Sequence, residues 1–353
     1  MSRFLSNRLE SLQAYTPGEQ PDDMQYIKLN TNESPYPPAP GVIAAVSAAE
    51  ISKLNLYPNP DGTRLLRRLA EFYGVGEENV IIGNGSDELL AFAFLAFCDE
   101  KRGVCFPDIT YGFYPVYARL FGIPFDQIPL KDDFTIEPSA YFNIGKNIVI
   151  ANPNAPTGVS LPLDDIEKIA RSNPGNIVLI DEAYVDFGAS SAIPLTRELD
   201  NLIVTHTYSK SRSMAGARLA YAIAQEPLIK DLGKIKYSFN PYNVNSLTQL
   251  AGEAAIDGEN YYKDMRLEII KTRGYTETRL KKLGFSMTRS DANFVFAKHP
   301  AVGGYELYKA LKERGILVRH FGKPRISDYV RITIGTKGQM DALLNAVKNI
   351  QGV

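Results

Sequence analysis

A lysine placed after an apolar segment has the setting best suited to covalent chemistry in this chain. Lys210 follows Ser209 directly, behind a predicted strand at 202–205, and Arg218 stands eight residues later. A lysine amine becomes nucleophilic when burial or a nearby cation lowers its pKa. A serine hydroxyl and a guanidinium beside it suit a phosphate dianion. A Ser-Lys pair alone is a weak signal, because most lysines are solvated, so the interpretation needs support from other motifs.

An aspartate at the end of an apolar run is the second candidate. Asp181 follows the apolar residues 177–180, and Tyr184 stands three positions further on. An isolated acid in such a place is more often a loop cap than a catalyst. A carboxylate at the bottom of a sheet crevice can nevertheless hold a cationic ring nitrogen, and the tyrosine can donate to a phenolate oxygen.

The segment at 83–88 follows a predicted strand and opens a helix. Gly85, Ser86 and Asp87 lie at this start, with Ser86 predicted as the N-cap. The ordinary interpretation is a well-capped helix, and the functional one is a phosphate site at free backbone N–H groups. The segment is not a dinucleotide fingerprint, because Glu88 stands where that motif needs its third glycine.

A proline-rich loop at 152–158, which contains Asn154, follows a predicted strand at 147–151. It can be a simple loop at a strand end. The carboxyl ends of parallel strands are, however, where open α/β sheets bind ligands.

The elements around these motifs predict an α/β domain with a mostly parallel sheet. Short strands are predicted at 79–82, 103–106, 147–151, 176–180, 202–205 and 219–224, with helices at 63–73 and 89–98. The runs at 147–151 and 177–180 are continuously apolar, which is typical of strands buried on both faces. A helix at 261–283 and later elements at 292–297, 304–314, 316–319, 329–334 and 337–350 predict a smaller α+β domain. Residues 34–40 are too rich in proline to be helical and predict an extended arm.

Composition excludes several classes of function. The net charge of −1 gives no broad cationic field, so nucleic acid is not an expected partner. Two cysteines, Cys98 and Cys105, fit a reducing cytoplasm better than a disulfide framework. The longest apolar run, 89–98, is too short to span a bilayer. The three histidines lack metal-ligand spacing, so no metal site is expected.

The four motifs occur in one order, and together they resemble the fold type I pyridoxal 5′-phosphate (PLP) aminotransferases across essentially the whole chain. The histidinol-phosphate aminotransferase family is more similar still, and the segments that carry this likeness are 15–18, 29–37, 57–60, 111–114, 292–294 and 330–335. The resemblance implies an α/β fold type I PLP-transferase. Its parts would be an arm at 1–40 that joins the small domain, a large PLP-binding domain at 41–245 and a small domain at 246–353.

The resemblance also implies roles for the residues around the cofactor. Lys210 would form the Schiff base with PLP and shuttle a proton, Asp181 would keep the pyridine nitrogen protonated, and Tyr184 would donate to the ring's phenolate oxygen. The other cofactor contacts would come from Gly85, Ser86, Asp87, Ser209 and Arg218 at the phosphate, Tyr111 stacked on the ring, and Tyr57 reaching the neighbouring subunit's cofactor in a homodimer. The family usually has asparagine before the Pro-Thr-Gly, where this chain has Ala155. Either Asn154 reaches the cofactor, or Tyr184 makes the contact alone.

The substrate residues are expected on other segments. Arg331 and Arg319 match the arginines that the family uses for an anionic group, and two guanidinium groups can hold a phosphate bidentately. Each is otherwise an ordinary surface arginine. Tyr15 and Asn32 line the pocket or have a purely structural role. The expected reaction exchanges the amino group of histidinol phosphate with 2-oxoglutarate, giving imidazole acetol phosphate and glutamate in histidine biosynthesis.

Three alternatives remain on the same scaffold. One is an aromatic amino-acid aminotransferase, which would differ only in the pocket. Another is a lyase similar to threonine-phosphate decarboxylase, which would release CO₂. The third is a PLP-sensing transcription regulator, which is disfavoured because the family's arm begins by residue 15 and leaves no room for a DNA-binding domain before it.

Overall fold

A seven-stranded sheet forms the centre of the larger body in the computed structural model, which describes residues 5–6, 9–46 and 51–352. Its strand order is β2-β8-β7-β6-β5-β3-β4. The strands are β2 (Val80–Gly83), β3 (Val104–Pro107), β4 (Phe125–Ile128), β5 (Asn147–Ala151), β6 (Val178–Asp181), β7 (Leu202–Thr207) and β8 (Ala220–Ile223). Strand β8 alone runs in the opposite direction to the other six strands of this sheet, and it is antiparallel to both of its neighbours, β2 and β7. The predicted α/β fold with a mostly parallel sheet is therefore confirmed.

Helices cover both faces of this sheet. In chain order the described α-helices are α1 (Pro40–Ala45), α2 (Thr63–Tyr73), α3 (Ser86–Phe97), α4 (Tyr114–Phe121), α5 (Leu163–Ser172), α6 (Glu226–Phe239), α7 (Ser246–Asp257), α8 (Glu259–Lys282), α9 (Gly304–Lys312) and α10 (Lys337–Gln351). Strand β5 shows how two cores arise, because successive side chains point to opposite faces. Ile148 and Ile150 pack into one core with α2 and α5, while Val149 and Ala151 pack into another with α3 and α4.

The smaller body has its own antiparallel sheet, in the order β12-β13-β10-β9. Its strands are β9 (Ser286–Met287), β10 (Phe294–Lys298), β12 (Arg319–His320) and β13 (Tyr329–Thr333). The arm contributes β1 (Ile27–Lys28), which pairs in parallel with β11 (Ile316–Leu317). Beyond β1, the Leu29 carbonyl accepts from the Thr333 amide at 2.9 Å. This pairing carries the arm across the small body towards the carboxyl ends of the large sheet.

Helix α7 packs differently from the segments that follow it. Its residues Ala251, Ala255 and Ile256 lie in the core of the large body, whereas Ile269 and Leu280 of α8 lie in the core of the small body. The predicted domain division at 245/246 stays a prediction, and this packing favours a boundary near Gly258. No described helix is long and apolar enough to cross a membrane.

Candidate active site

A cavity of about 640 Å³ opens where strands β5, β6 and β7 of the large sheet end and the arm and small body meet them. The predicted site residues that line it are Tyr15, Ser86, Asp87, Tyr111, Asp181, Tyr184, Ser209, Lys210, Arg218, Arg319 and Arg331. The chain thus brings together residues separated by more than 300 positions. This is the edge of the sheet at which open α/β folds bind ligands.

Lys210 lies just beyond the end of β7, within the turn that leads to β8. Its Nζ donates to the Thr31 carbonyl of the arm at 3.1 Å and lies 5.8 Å from the centre of the Tyr184 ring. Burial, reinforced by the nearby charge of Arg331, lowers the pKa of the Lys210 amine to about 8. An amine with this pKa is partly neutral near neutral pH, as a nucleophile or a proton acceptor must be.

Asp181 is the last residue of β6 and is 4% exposed. Its Oδ2 accepts from the Tyr114 hydroxyl at 3.0 Å. Burial raises the pKa of this carboxyl to about 6, although the hydrogen bond from Tyr114 opposes the rise. In the described parts of the chain, no lysine or arginine forms an ion pair with Asp181. A buried carboxylate without a cation of its own is a good partner for a cationic ligand group.

Tyr114 was not among the predicted site residues. The signal for it was present, because it closes the Tyr-Gly-Phe-Tyr motif at 111–114. Phe113 of the same motif was also missed, and its ring stacks on Tyr15 with 4.3 Å between centroids. Tyr111 lies 6.1 Å from Tyr15 in a tilted arrangement. Tyr15 and Tyr111 form an aromatic wall along one side of the cavity, and Phe113 supports it from outside the lining by stacking on Tyr15.

The start of helix α3 forms the predicted phosphate end. The structure corrects the expected cap: Ser86 is the first helical residue, and Gly85 takes the cap position at φ 81°. Within the described ranges no side chain caps this helix, so its first N–H groups are available to a ligand. The φ of 81° favours glycine at this position, and a Cβ there would also lie 2.3 Å from Arg218 Nη2 and displace the guanidinium.

Arg218 closes this end of the cavity from the opposite side. Its guanidinium donates to Asp87 Oδ2 and to Ser209 Oγ, each at 3.4 Å. Asp87 Oδ1 also accepts from the Tyr111 hydroxyl at 2.7 Å. Arg218 has a positive φ of 54°, a conformation that costs free energy in a residue with a side chain. The helix start, the guanidinium and the serine hydroxyl together form a site for a phosphate group.

Two arginines stand at the other end. Arg319 and Arg331 are direct partners across β12 and β13, a position in which two like charges repel. Arg319 donates to the carbonyls of Thr16 and Pro17 at 3.0 and 3.1 Å. Arg331 Nη2 donates to the Asn30 carbonyl at 3.1 Å, while its buried Nε has no hydrogen-bond partner among the described residues. Burial lowers the pKa of Arg331, and an anionic ligand would relieve both the repulsion and the unpaired N–H.

The cavity lining does not include four of the predicted residues, which are Gly85, Tyr57, Asn32 and Asn154. Gly85 lies beneath the Arg218 guanidinium. Tyr57 is 81% exposed on the surface and stacks on Tyr242. Asn32 is fully buried, and its amide donates to the Tyr184 hydroxyl at 2.9 Å.

The position of Asn154 does not support the expectation that it reaches the cofactor. Its Oδ1 accepts from the Thr110 hydroxyl at 2.7 Å, and its Nδ2 donates to the Ile109 carbonyl and the Thr157 hydroxyl. These contacts use its polar groups to connect two loops behind the cavity wall. Ala155 lines the cavity in its place and presents only a methyl group.

The described residues include no group of three histidine, cysteine, aspartate or glutamate side chains able to hold a metal ion. The arrangement instead joins a buried amine and an uncompensated acid to two separate anion sites. It can hold a phosphorylated cation next to Lys210 and an anionic substrate beyond it.

Comparisons with known proteins agree with this geometry. Residues 24–347 match the family model described as aminotransferase class I and II. A histidinol-phosphate aminotransferase from Brachyspira hyodysenteriae is 50% identical over 351 residues, which cover 99% of each chain. Another from Marinomonas sp. is 49% identical over 353 residues, covering 99% of this chain and 100% of that one.

Among solved structures, the histidinol-phosphate aminotransferase from Sinorhizobium meliloti, determined in complex with pyridoxal-5′-phosphate, aligns with a TM-score of 0.87 over 99% of each chain. At 22% identity this likeness shows the fold alone. A Thermus thermophilus aspartate aminotransferase variant shares the fold with a TM-score of 0.84 at 20% identity, over 99% of this chain and 100% of that one.

Proposed function

Because the chain belongs to the class I and II aminotransferases and, within them, to the histidinol-phosphate aminotransferases, we propose that it exchanges the amino group of histidinol phosphate with 2-oxoglutarate. The products are imidazole acetol phosphate and glutamate, a step of histidine biosynthesis. The cofactor is PLP. The observation that carries the proposal is the position of the buried Lys210 amine in one cavity with the acid Asp181 and the arginine pair.

The residues present fit PLP at three points. Asp181 offers a buried carboxylate without its own cation, which suits a protonated pyridine nitrogen. The start of α3, with Gly85 and Arg218, suits the phosphate group. Tyr111, held by Asp87, suits a ring face. When bound, PLP supplies an aldehyde that condenses with amines and a ring that accepts the electron pair left by a departing proton.

With PLP bound and the substrate amine in place of its own, Lys210 would move protons. Its Nζ would take the proton from the substrate carbon that carries the amino group and give it up again on the cofactor side. The pKa of about 8, lowered by burial and by Arg331, keeps part of the amine neutral for this transfer. Asp181 would hold the protonated ring nitrogen with its negative charge, and Tyr184 would donate to the ring oxygen.

The arginine pair determines which substrates stay bound. Histidinol phosphate carries a dianion and no carboxylate, so Arg319 and Arg331 can grip its phosphate together. The free Nε–H of Arg331 is available to the carboxylate of glutamate or 2-oxoglutarate in the second half-reaction. The aromatic wall of Tyr15 and Tyr111, which Phe113 supports by stacking on Tyr15, provides apolar surface beside the imidazole ring.

The proposal extends to the assembly. Several large apolar side chains are exposed in addition to the stacked Tyr57 and Tyr242: Ile43 is 62% exposed, Leu56 64% and Phe239 72%. Exposed apolar side chains of this size are typical of a surface that a partner covers, so we propose a homodimer in which Tyr57 reaches the partner's cofactor. Sedimentation of wild-type and Leu56→Asp protein tests it. A wild-type monomer would contradict the homodimer. The cytoplasmic location and the division into 1–40, 41–245 and 246–353 remain predictions.

A half-reaction screen tests the activity. The PLP-loaded enzyme is mixed in turn with histidinol phosphate, glutamate, phenylalanine and threonine phosphate, and the change of the cofactor absorption to that of the amine form is followed. We expect histidinol phosphate to react with the highest kcat/KM. A preference for phenylalanine would identify an aromatic aminotransferase and contradict the role of Arg319. Release of CO₂ from threonine phosphate would identify a lyase.

A further inference from the structure

Asn32 is held in an unusual conformation by the small body. It has a positive φ of 56° and is completely buried. Its backbone N–H donates to Thr333 Oγ1 at 3.0 Å, and the same hydroxyl donates to Asn32 Oδ1 at 3.1 Å. Its carbonyl accepts from Asn293 Nδ2 at 3.0 Å. A left-handed, buried residue with its backbone and side chain fixed in this way has one orientation.

The side-chain nitrogen of Asn32, its remaining polar group, faces Tyr184 of the large body. Its Nδ2 donates to the Tyr184 hydroxyl oxygen at 2.9 Å. Because that oxygen accepts from Asn32, Tyr184 keeps its own proton to donate into the cavity that it lines. The Tyr184 ring is fixed in turn by an edge contact with Phe294, with 5.2 Å between centroids.

We propose that Asn32 is a positioning residue for Tyr184, which directs and strengthens the hydrogen bond from Tyr184 to the ring oxygen of the cofactor. The inference rests on the proposed function. A hydroxyl that accepts a hydrogen bond becomes a stronger donor, because bonds in a chain polarise one another. Ala155 on the facing loop has no polar side-chain atom, so the support for Tyr184 comes from the arm. Thr333 and Asn293 of the small body hold Asn32. The position of the small body therefore affects the hydrogen bond from Tyr184 to the cofactor.

The charges near Tyr184 set the background for a test. Arg331 lies on the small-body side, Asp181 and Asp87 on the large-body side, and Lys210 over the ring. The variants leave these charged residues in place. A change in the proton affinity of the lysine-bound cofactor can then be assigned to the hydrogen bond between Asn32 and Tyr184.

The test measures the pH midpoint of the absorption change of the lysine-bound cofactor, without turnover. A donor on the ring oxygen stabilises negative charge there and weakens the hold of that oxygen on the proton of the neighbouring nitrogen. We expect Tyr184→Phe to raise the midpoint by about one unit and Asn32→Gly by about half a unit. The double variant should match Tyr184→Phe alone, because Asn32 acts through the tyrosine.

Two variants separate this role from a structural one. Asn32→Gly keeps the positive φ and removes the amide, whereas Asn32→Ser removes the amide, keeps a short polar side chain and adds no charge. If both keep the wild-type midpoint while Tyr184→Phe raises it, the inference is overturned. If Tyr184→Phe also leaves it unchanged, the assigned contact of Tyr184 fails and the inference with it. Absence of any lysine-bound cofactor in the wild type would instead contradict the proposed function.

Discussion

The cofactor end and the substrate end of the cavity hold their charged groups by different means. At the cofactor end, side chains of the large body bind one another: Tyr114 donates to Asp181, and Tyr111 and Arg218 both donate to Asp87. At the substrate end, Arg319 and Arg331 donate to backbone carbonyls of the arm. The first set lies at or next to strand ends of one sheet, and the second lies between two segments about 300 residues apart in sequence.

This difference corresponds to two tasks. A cofactor that stays bound through many turnovers needs a site whose geometry and pKa values are already arranged. Two substrates that alternate, one with a phosphate and one with two carboxylates, need cations that can exchange partners. Backbone carbonyls are neutral, so the arginines keep their full charge for an anion. We therefore expect changes at the cofactor end to reduce the rate of the chemical step and changes at the substrate end to weaken the binding of one or both substrates.

Replacing Lys210 should have the largest effect. Lys210→Ala removes both the covalent attachment and the proton carrier, so we expect kcat to fall about 10⁴-fold. The absorption band of lysine-bound PLP should disappear with it. Lys236→Met is a matched control, because Lys236 is also buried and also donates to a backbone carbonyl, that of Pro60 at 2.8 Å. A Lys210→Ala enzyme with normal turnover would disprove the central assignment.

Asp181→Asn should reduce kcat next most strongly, by about 10³-fold, because a neutral amide cannot keep the ring nitrogen protonated. Tyr114→Phe is the comparison, since it removes the donor to Asp181 and leaves the charge. We expect less than a tenfold loss from Tyr114→Phe. Similar losses in the two variants would show that the geometry of Asp181, and not its charge, is what matters.

Asp181 should also make the stability of the cofactor-stripped enzyme depend on pH. Burial raises the pKa of this carboxyl from 3.8 to about 6. Between these values the folded chain binds more protons than the unfolded chain, so the free energy of unfolding falls as pH rises through this window. Asp181→Asn should therefore stabilise the stripped protein by about 2–3 kcal/mol more at pH 7.5 than at pH 3.5. Urea unfolding at the two pH values measures the difference, and the exposed Asp126→Asn serves as the control.

The cofactor end was also the easier one to predict, for a physical reason. Helix α2 at Thr63–Tyr73 and strand β5 at Asn147–Ala151 lie where their apolar spacing placed them. A site residue at or just after the end of such a strand is positioned by that strand, as Asp181 and Lys210 are. Helix α3 begins at Ser86, three residues before the predicted start at residue 89, because its first turn is polar and carries no apolar periodicity.

The contacts that sequence could not supply are those between distant segments. Asn154 looked like a cofactor contact from its loop, but its amide is used by Thr110, Ile109 and Thr157. Asn32 was expected either near the substrate or in a purely structural role, and its amide contacts Tyr184, which lies 152 positions away. The direction of a side chain depends on neighbours that periodicity does not reveal. Helices α1, α4, α5, α6 and α7 had no counterpart among the helices predicted with bounds.

Arg331→Lys tests the substrate end with a smaller expected effect. Lysine keeps the charge and loses the planar fork, including the free Nε–H. We expect kcat/KM to fall about 10- to 100-fold for histidinol phosphate and for glutamate alike, since both anions use this residue. Most of the loss should appear in KM. A selective loss for one substrate would mean that the two anions do not share Arg331.

Arg319→Gln should have the smallest and most selective effect. Two of its N–H groups already donate to Thr16 and Pro17, so its contribution to a ligand is chiefly its charge. A dianion gains more from that charge than a carboxylate does. We expect kcat/KM to fall about tenfold for histidinol phosphate and less than threefold for glutamate, with the larger loss diminishing at high salt. Arg314→Gln, at an exposed arginine just after helix α9 that donates to the Ala310 carbonyl of that helix, should change neither value. Equal losses for the two substrates would show that Arg319 and Arg331 act alike, and the preference for histidinol phosphate would then depend on the contacts of its imidazole ring with the aromatic wall.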